Sequence, residues 1–172
     1  MTRDETTAAD PDDATAVAPY TAYQTTVRSE WIDYNGHMND AAYAQVLTDA
    51  NECFLDALGL SASYREATGC GLYTVETHIR FVREVSRTDV LTARTILVDH
   101  DAKRVRLHTL LVDATGAAVA TGESLYLNVD QGADKVSPFP EDRSARLAQV
   151  QRVHDVVERP SHLGAGVGAP RR

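Results

Sequence analysis

Between residues 20 and 130 the apolar positions repeat with two different periods. Tyr23, Thr25 and Val27 alternate with polar partners, the two-residue period of a first strand. A loop follows at 31–38. Asn39 then stands where a helix N-cap belongs, and Tyr43, Val46, Leu47, Ala50, Phe54, Leu55 and Leu58 recur at threes and fours. Gly59 sits where such runs usually end. The pattern predicts a helix of about five turns. Ala41, Ala42, Ala44 and Ala57 add small side chains that let it lie close against strands wrapped around it.

Four strand-like segments come next, at 72–83, 90–100, 104–113 and 117–129. Asp101-Ala102-Lys103 and Ala114-Thr115-Gly116 are short enough to make hairpins, so the strands they join run antiparallel. Tyr73, Val75, Thr77, Ile79 and Phe81 are expected on one face of the first segment, and Val105, Leu107, Thr109 and Leu111 on one face of another. The order is β-α-β-β-β-β, one long helix followed by a meander that covers it, which is an α+β architecture. A further helix is predicted at 141–157. Its stripe of Leu147, Val150, Val153, Val156 and Val157 must rest on this sheet or on a second subunit.

Composition changes the picture at the two ends. Residues 1–19 carry Asp4, Glu5, Asp10, Asp12 and Asp13 among Ala, Thr and Pro and have almost nothing to bury, so disorder is expected there. The segment 160–172, with Gly164, Gly166 and Gly168, reads as a second disordered tail. That leaves one folded domain at 20–130 and an extension at 131–159 carrying the second helix. The 172 residues have a net charge of −8, which gives no general attraction for nucleic acid or an anionic membrane. No apolar stretch approaches the roughly 20 residues of a membrane span. The start of the chain lacks the pattern of a secretory signal. Cys53 and Cys70 have neither disulfide-framework nor CxxC spacing. A reduced, cytoplasmic protein is the expectation. His37, His78, His100, His108, His154 and His162 are scattered and form no ligand motif, so neither metal nor cofactor is expected.

The chemistry-bearing stretch is Trp31-Ile-Asp-Tyr-Asn-Gly-His-Met-Asn39. It offers a carboxylate at Asp33 and an imidazole at His37, with Gly36 between them, just before a helix start with its free N–H groups and partial positive charge. A carboxylate can activate water or attack directly while helix-terminal N–H groups hold an oxyanion, which suits acyl transfer. The same residues also suit a plain structural role, with Asp33 and His37 tying down the turn and Asn39 capping the helix.

The motif Asp33-x-x-Gly36-His37-Met38-Asn39-x-x-x-Tyr43, followed by Glu76-Thr-His-Ile-Arg-Phe-Val-Arg-Glu84 and Thr88-Asp89, resembles the hotdog-fold acyl-CoA thioesterases of the 4-hydroxybenzoyl-CoA type. The likeness spans about 22–130. It implies an antiparallel sheet wrapped around one central helix, an acyl-CoA substrate, and a homodimer or dimer of dimers. Within the family, Tyr73-Thr-Val-Glu-Thr-His-Ile-Arg80 and Asp101-x-Lys103-Arg104 are similar to thioesterases that accompany carnitine dehydrogenases and hydrolyse betainyl-CoA. A general short-chain or aromatic acyl-CoA thioesterase is the alternative. A hotdog enoyl-CoA hydratase fits less well, because such enzymes carry a longer motif with a proline. A non-catalytic acyl-CoA-binding protein is the remaining reading.

By that resemblance Asp33 is the nucleophile or general base, Gly36 lets the backbone approach the thioester, and N–H groups at the helix start form the oxyanion hole. His37 orients the loop or contacts the acyl carbonyl, and Asn39 is a cap or a catalyst. Family members often carry Gly-Asp where this chain has Thr88-Asp89, a departure confined to a turn. Arg80, Arg83, Lys103 and Arg104 are candidates for the phosphates of coenzyme A. For a quaternary ammonium substrate, Trp31, Tyr34, Tyr43 and Tyr73 with Glu76 could supply aromatic faces and a negative charge.

Overall fold

The computed structural model describes residue 15 and residues 17–165. The long helix, α1 (Asp40–Ala57), begins at Asn39, whose side chain accepts the Ala42 N–H at 3.0 Å. It ends at Leu58 and Gly59, with Gly59 in the left-handed region at φ +70°. Val46, Leu47, Ala50, Phe54 and Leu55 on one face of α1 are buried.

The strands are β1 (Gln24–Thr26), β2 (Cys70–Phe81), β3 (Val90–His100), β4 (Arg104–Val112), β5 (Ala118–Asp130) and β6 (Lys135–Val136). They form one antiparallel sheet in the order β1-β3-β4-β5-β2, with β6 against β5. The concave face carries Leu91, Ala93, Leu97, Leu107, Leu111 and Ala120 against α1. This is the predicted α+β arrangement with one correction. The meander covers only β3, β4 and β5. β2 crosses over and pairs with β5 at the far edge, because the eight-residue link 82–89 is too long to dictate a hairpin.

The face expected for β2 is also corrected. The register against β5 slips between Thr74, opposite Tyr126, and Glu76, opposite Leu125. The bulge leaves Val75 unpaired and exchanges the two sides of the strand. Thr77, Ile79 and Phe81 therefore face the same way as the inward residues Ser124, Gly122 and Ala120, while Tyr73 and Glu76 face the other side.

Two elements lie outside the predicted pattern. They are a short helix α2 (Ala62–Thr68), closed by Gly69 at φ +71°, and the two-residue strand β6. The C-terminal helix, α3 (Glu141–His154), is shorter than predicted. Leu147 and Val150 pack on Phe54 and Leu97 of this same chain, whereas Val156 is exposed.

Of the expected N-terminal disordered segment, residues 1–14 and 16 lie outside the described residues, and Thr15 is buried. Of the expected tail, 166–172 lie outside them. Residues 160–165 make two turns on the convex side of the sheet, where Gly164 N–H donates to Glu123 and the His162 ring lies 5.4 Å from that of His108. Among the described residues no helix is long and apolar enough to cross a membrane.

Candidate active site

The stretch before α1 is a miniature hairpin. Ile32 bridges Met38, Asp33 N–H donates to the His37 carbonyl at 2.9 Å, and Gly36 N–H donates to the Asp33 carbonyl at 3.0 Å. Gly36 closes this turn at φ +83°, a conformation costly for any residue with a Cβ. Asp33 accepts the Asn35 N–H at 2.8 Å on one oxygen and Asn35 Nδ2 at 3.2 Å on the other. The carboxylate is thus held by the turn itself, at its half-exposed tip.

Three contacts fasten this hairpin to the rest of the molecule. Met38 N–H donates to the Val85 carbonyl at 3.0 Å. Asn39 donates twice to the Trp31 carbonyl, from its backbone at 2.9 Å and from Nδ2 at 2.7 Å, while its Oδ1 caps α1. His37 Nδ1 lies 3.3 Å from a Glu84 carboxylate oxygen. Asn39 therefore has a full structural role. His37 is tied through one nitrogen to the segment that leaves β2.

The head of α1 keeps one amide free. Ala41 N–H donates to the Asp40 carboxylate and Ala42 N–H to Asn39, whereas among the described residues Asp40 N–H has no protein acceptor. A free N–H at a helix start, carrying the partial positive charge of the dipole, is a donor for an oxyanion.

The aromatic candidates do not converge within one protomer. Tyr34 is 97% exposed, and the Arg28 guanidinium already covers the Trp31 ring, 4.9 Å from its centroid. Tyr43 is buried at the head of α1, its hydroxyl donating to the Arg83 carbonyl at 3.4 Å and its ring edge-to-face with Phe81 at 5.3 Å. Tyr73 is toward the opposite end of β2, where its hydroxyl accepts from Gln131, and Glu76 lines a separate convex-face cavity with Arg104, Arg106 and Glu123. The structure thus brings Asp33, Gly36, His37 and Asn39 into one hairpin with Trp31 and Tyr43 beside it; Tyr34 belongs to the same turn but its side chain is exposed, and Tyr73 and Glu76 lie apart.

Arg83 and Arg104, considered for phosphate contacts, are ion-paired to Asp113 and Asp101. Among the described residues no three His, Cys, Asp or Glu side chains converge as a metal-ligand set. Next to the hairpin lies a small cavity of about 310 Å³ lined by Met38, Asp40, Tyr43 and 81–84. Asp40, Phe81 and Glu84 drew no attention in the sequence pattern as site residues. Their only signal was membership of the two motifs, Phe81 and Glu84 within the second and Asp40 at an unspecified position of the first.

Comparison with known proteins places these features in context. The model of the thioesterase-like superfamily matches residues 27–147. The betainyl-CoA thioesterase of Pseudomonas aeruginosa is 34% identical over 151 residues, 87% of this chain and 95% of that protein. The L-carnitine dehydrogenase/betainyl-CoA thioesterase of Agrobacterium fabrum is 40% identical over 89% of this chain, which spans only 31% of the length of that relative. A Staphylococcus aureus protein solved in complex with CoA superposes with a TM-score of 0.81 at 32% identity, covering 86% of this chain and 94% of its own.

Proposed function

Because the chain belongs to the thioesterase-like superfamily, we propose that it hydrolyses a small acyl-CoA thioester, betainyl-CoA foremost, to the free acid and coenzyme A. The end-to-end likeness to a protein named betainyl-CoA thioesterase supports the substrate. The observation that carries the chemistry is that the Asp33 hairpin runs directly into the head of α1, where the Asp40 N–H is unpartnered among the described residues.

In this reading Asp33 takes a proton from water as the water oxygen attacks the thioester carbonyl carbon, or its carboxylate attacks that carbon itself. The carbonyl oxygen becomes an oxyanion facing the Asp40 N–H, a fixed donor at the positive end of the helix dipole. The C–S bond then breaks and the coenzyme A thiolate leaves and takes up a proton; where Asp33 attacked directly, water then hydrolyses the acyl–Asp33 anhydride, freeing the acid and restoring the carboxylate. His37 and Asn39 keep the hairpin in register with the helix.

The site is proposed to be completed by a second copy. β2 is a 12-residue edge strand with Tyr73, Val75, Phe81 and Val82 exposed along or just beyond it. A long apolar edge of unpaired N–H and C=O groups favours pairing with another strand. Pairing at β2 would also bring the partner's surface toward the open side of the hairpin.

The test is thiol release from a panel of acyl-CoAs, with hydration of crotonyl-CoA as the control. Release fastest from betainyl-CoA is the expected result. Hydration of crotonyl-CoA without thiol release overturns the hydrolase reading. Faster release from aromatic or plain short-chain esters replaces the betainyl substrate with one of those.

A further inference from the structure

We propose that the cavity at the head of α1, bounded by Met38, Asp40, Tyr43, Phe81 and Glu84, receives the cationic trimethylammonium end of the acyl group; this rests on the thioesterase reading above. The pocket differs from the aromatic set expected from the sequence and shares only Tyr43 with it.

A trimethylammonium group has no N–H to donate, so its recognition needs aromatic surface and uncompensated negative charge. The cavity supplies both. The exposed aromatic surface is that of Phe81, and buried Tyr43 backs it edge-to-face at 5.3 Å and 77°. Phe81 is 56% exposed, which leaves its ring available to a ligand, and the bond from the Tyr43 hydroxyl to the Arg83 carbonyl holds the other ring in place. Met38 and Val82 add apolar wall.

The charge balance of the lining is negative. Asp40 and Glu84 contribute two carboxylates, and the single guanidinium, that of Arg83, is paired with Asp113 outside the cavity. His37 Nδ1 approaches one carboxylate oxygen of Glu84 at 3.3 Å, and the Glu84 side chain is 69% exposed, which leaves its other oxygen open to a ligand. The other expected residues offer less. Among them, Trp31 already stacks on a cation, and Tyr73 and Glu76 line other cavities.

Position supports the same assignment. Asp40 lines the cavity and also carries the free N–H proposed for the oxyanion. In a betainyl group one methylene separates the ammonium from the carbonyl carbon. A head group in the pocket therefore leaves the carbonyl at the helix start, beside the hairpin that carries Asp33.

The experiment compares kcat/KM for betainyl-CoA with that for its neutral isostere, 3,3-dimethylbutanoyl-CoA, in which carbon replaces the ammonium nitrogen. Wild type should favour the cation. Glu84→Gln and Phe81→Leu should each lower the ratio of the two values about tenfold, equivalent to about 1.4 kcal/mol. Tetramethylammonium should compete with betainyl-CoA in wild type, with an inhibition constant several-fold weaker in both variants. A wild-type preference for the cation that survives both substitutions overturns the pocket and leaves the betainyl-CoA thioesterase reading standing. A wild-type ratio near one, with thiol released from both esters, overturns the cationic substrate and this pocket with it.

Discussion

His154 Nδ1 accepts the backbone N–H of Leu97 at 2.9 Å, so a side chain of α3 closes the edge of β3 that β1 leaves unpaired. The imidazole also stacks on Phe54 of α1 at 5.5 Å and thus joins three elements at one point. Replacing it with alanine leaves a buried amide without an acceptor, at a cost of about 1–3 kcal/mol. Urea denaturation of His154→Ala should show that loss, with the candidate active site untouched. A midpoint equal to wild type would mean that water or a shifted chain satisfies Leu97.

Stability should fall in acid. Burial holds the His108 imidazole down to about 4, with repulsion from His162 adding to the effect, against an ordinary value of 6.5. Burial pushes His154 down as well. Both are neutral when folded, while the unfolded chain takes up protons below about 6.5. The unfolded state binds more protons between pH 6.5 and 4, so stability is full above that window and is lost as pH falls through it. The urea midpoint should therefore drop from pH 7.5 to 4.5, and His108→Gln should flatten the slope. A flat wild-type profile would contradict the burial of these rings.

Asp33→Ala should reduce turnover about 10²–10⁴-fold, the usual range for removing a positioned base. The side chain sits at a half-exposed turn and, among the described residues, bonds only to Asn35, so the thermal midpoint should move little. Near-normal turnover in a folded variant would leave Asp33 with the turn alone.

Asn39→Asp separates capping from anchoring. Aspartate keeps the acceptor for Ala42 N–H and loses the Nδ2 donor to the Trp31 carbonyl, whereas Asn39→Ala loses both. The alanine variant should cost about 0.5–2 kcal/mol of stability and the aspartate variant less. If both keep full activity, the hairpin needs neither bond to present Asp33.

Light scattering should give a mass of at least twice 18.8 kDa. Val75→Lys, at the open edge of β2, should drive the protein toward monomer and lower activity with it. A fully active monomer would remove the second copy from the site.

Short-range chemistry made part of this structure legible in the chain alone. Asn39 and Gly59 bracket α1 because a cap and a left-handed glycine act within one turn of the helix. The bounds of β3, Val90–His100, and the two hairpins around β4 follow from alternation and turn residues for the same reason. The Asp33–Asn39 motif was equally visible, since its hydrogen bonds close almost entirely within the segment 31–42. α2 was missed because seven residues are too few to establish a period, although Ser61 and Gly69 stand at its ends. What only the tertiary structure decided is which distant surfaces meet. Alternation tells inside from outside but names no neighbour, so the pairing of β2 with β5 rests on long-range closure. The single unpaired residue Val75 then exchanges the faces of β2, sending Tyr73 away from the side of Phe81 and Tyr43, and the chain's turn after β2 brings Glu84 to His37. Register and crossover are settled by how the whole sheet covers α1, and no local residue preference contains that information.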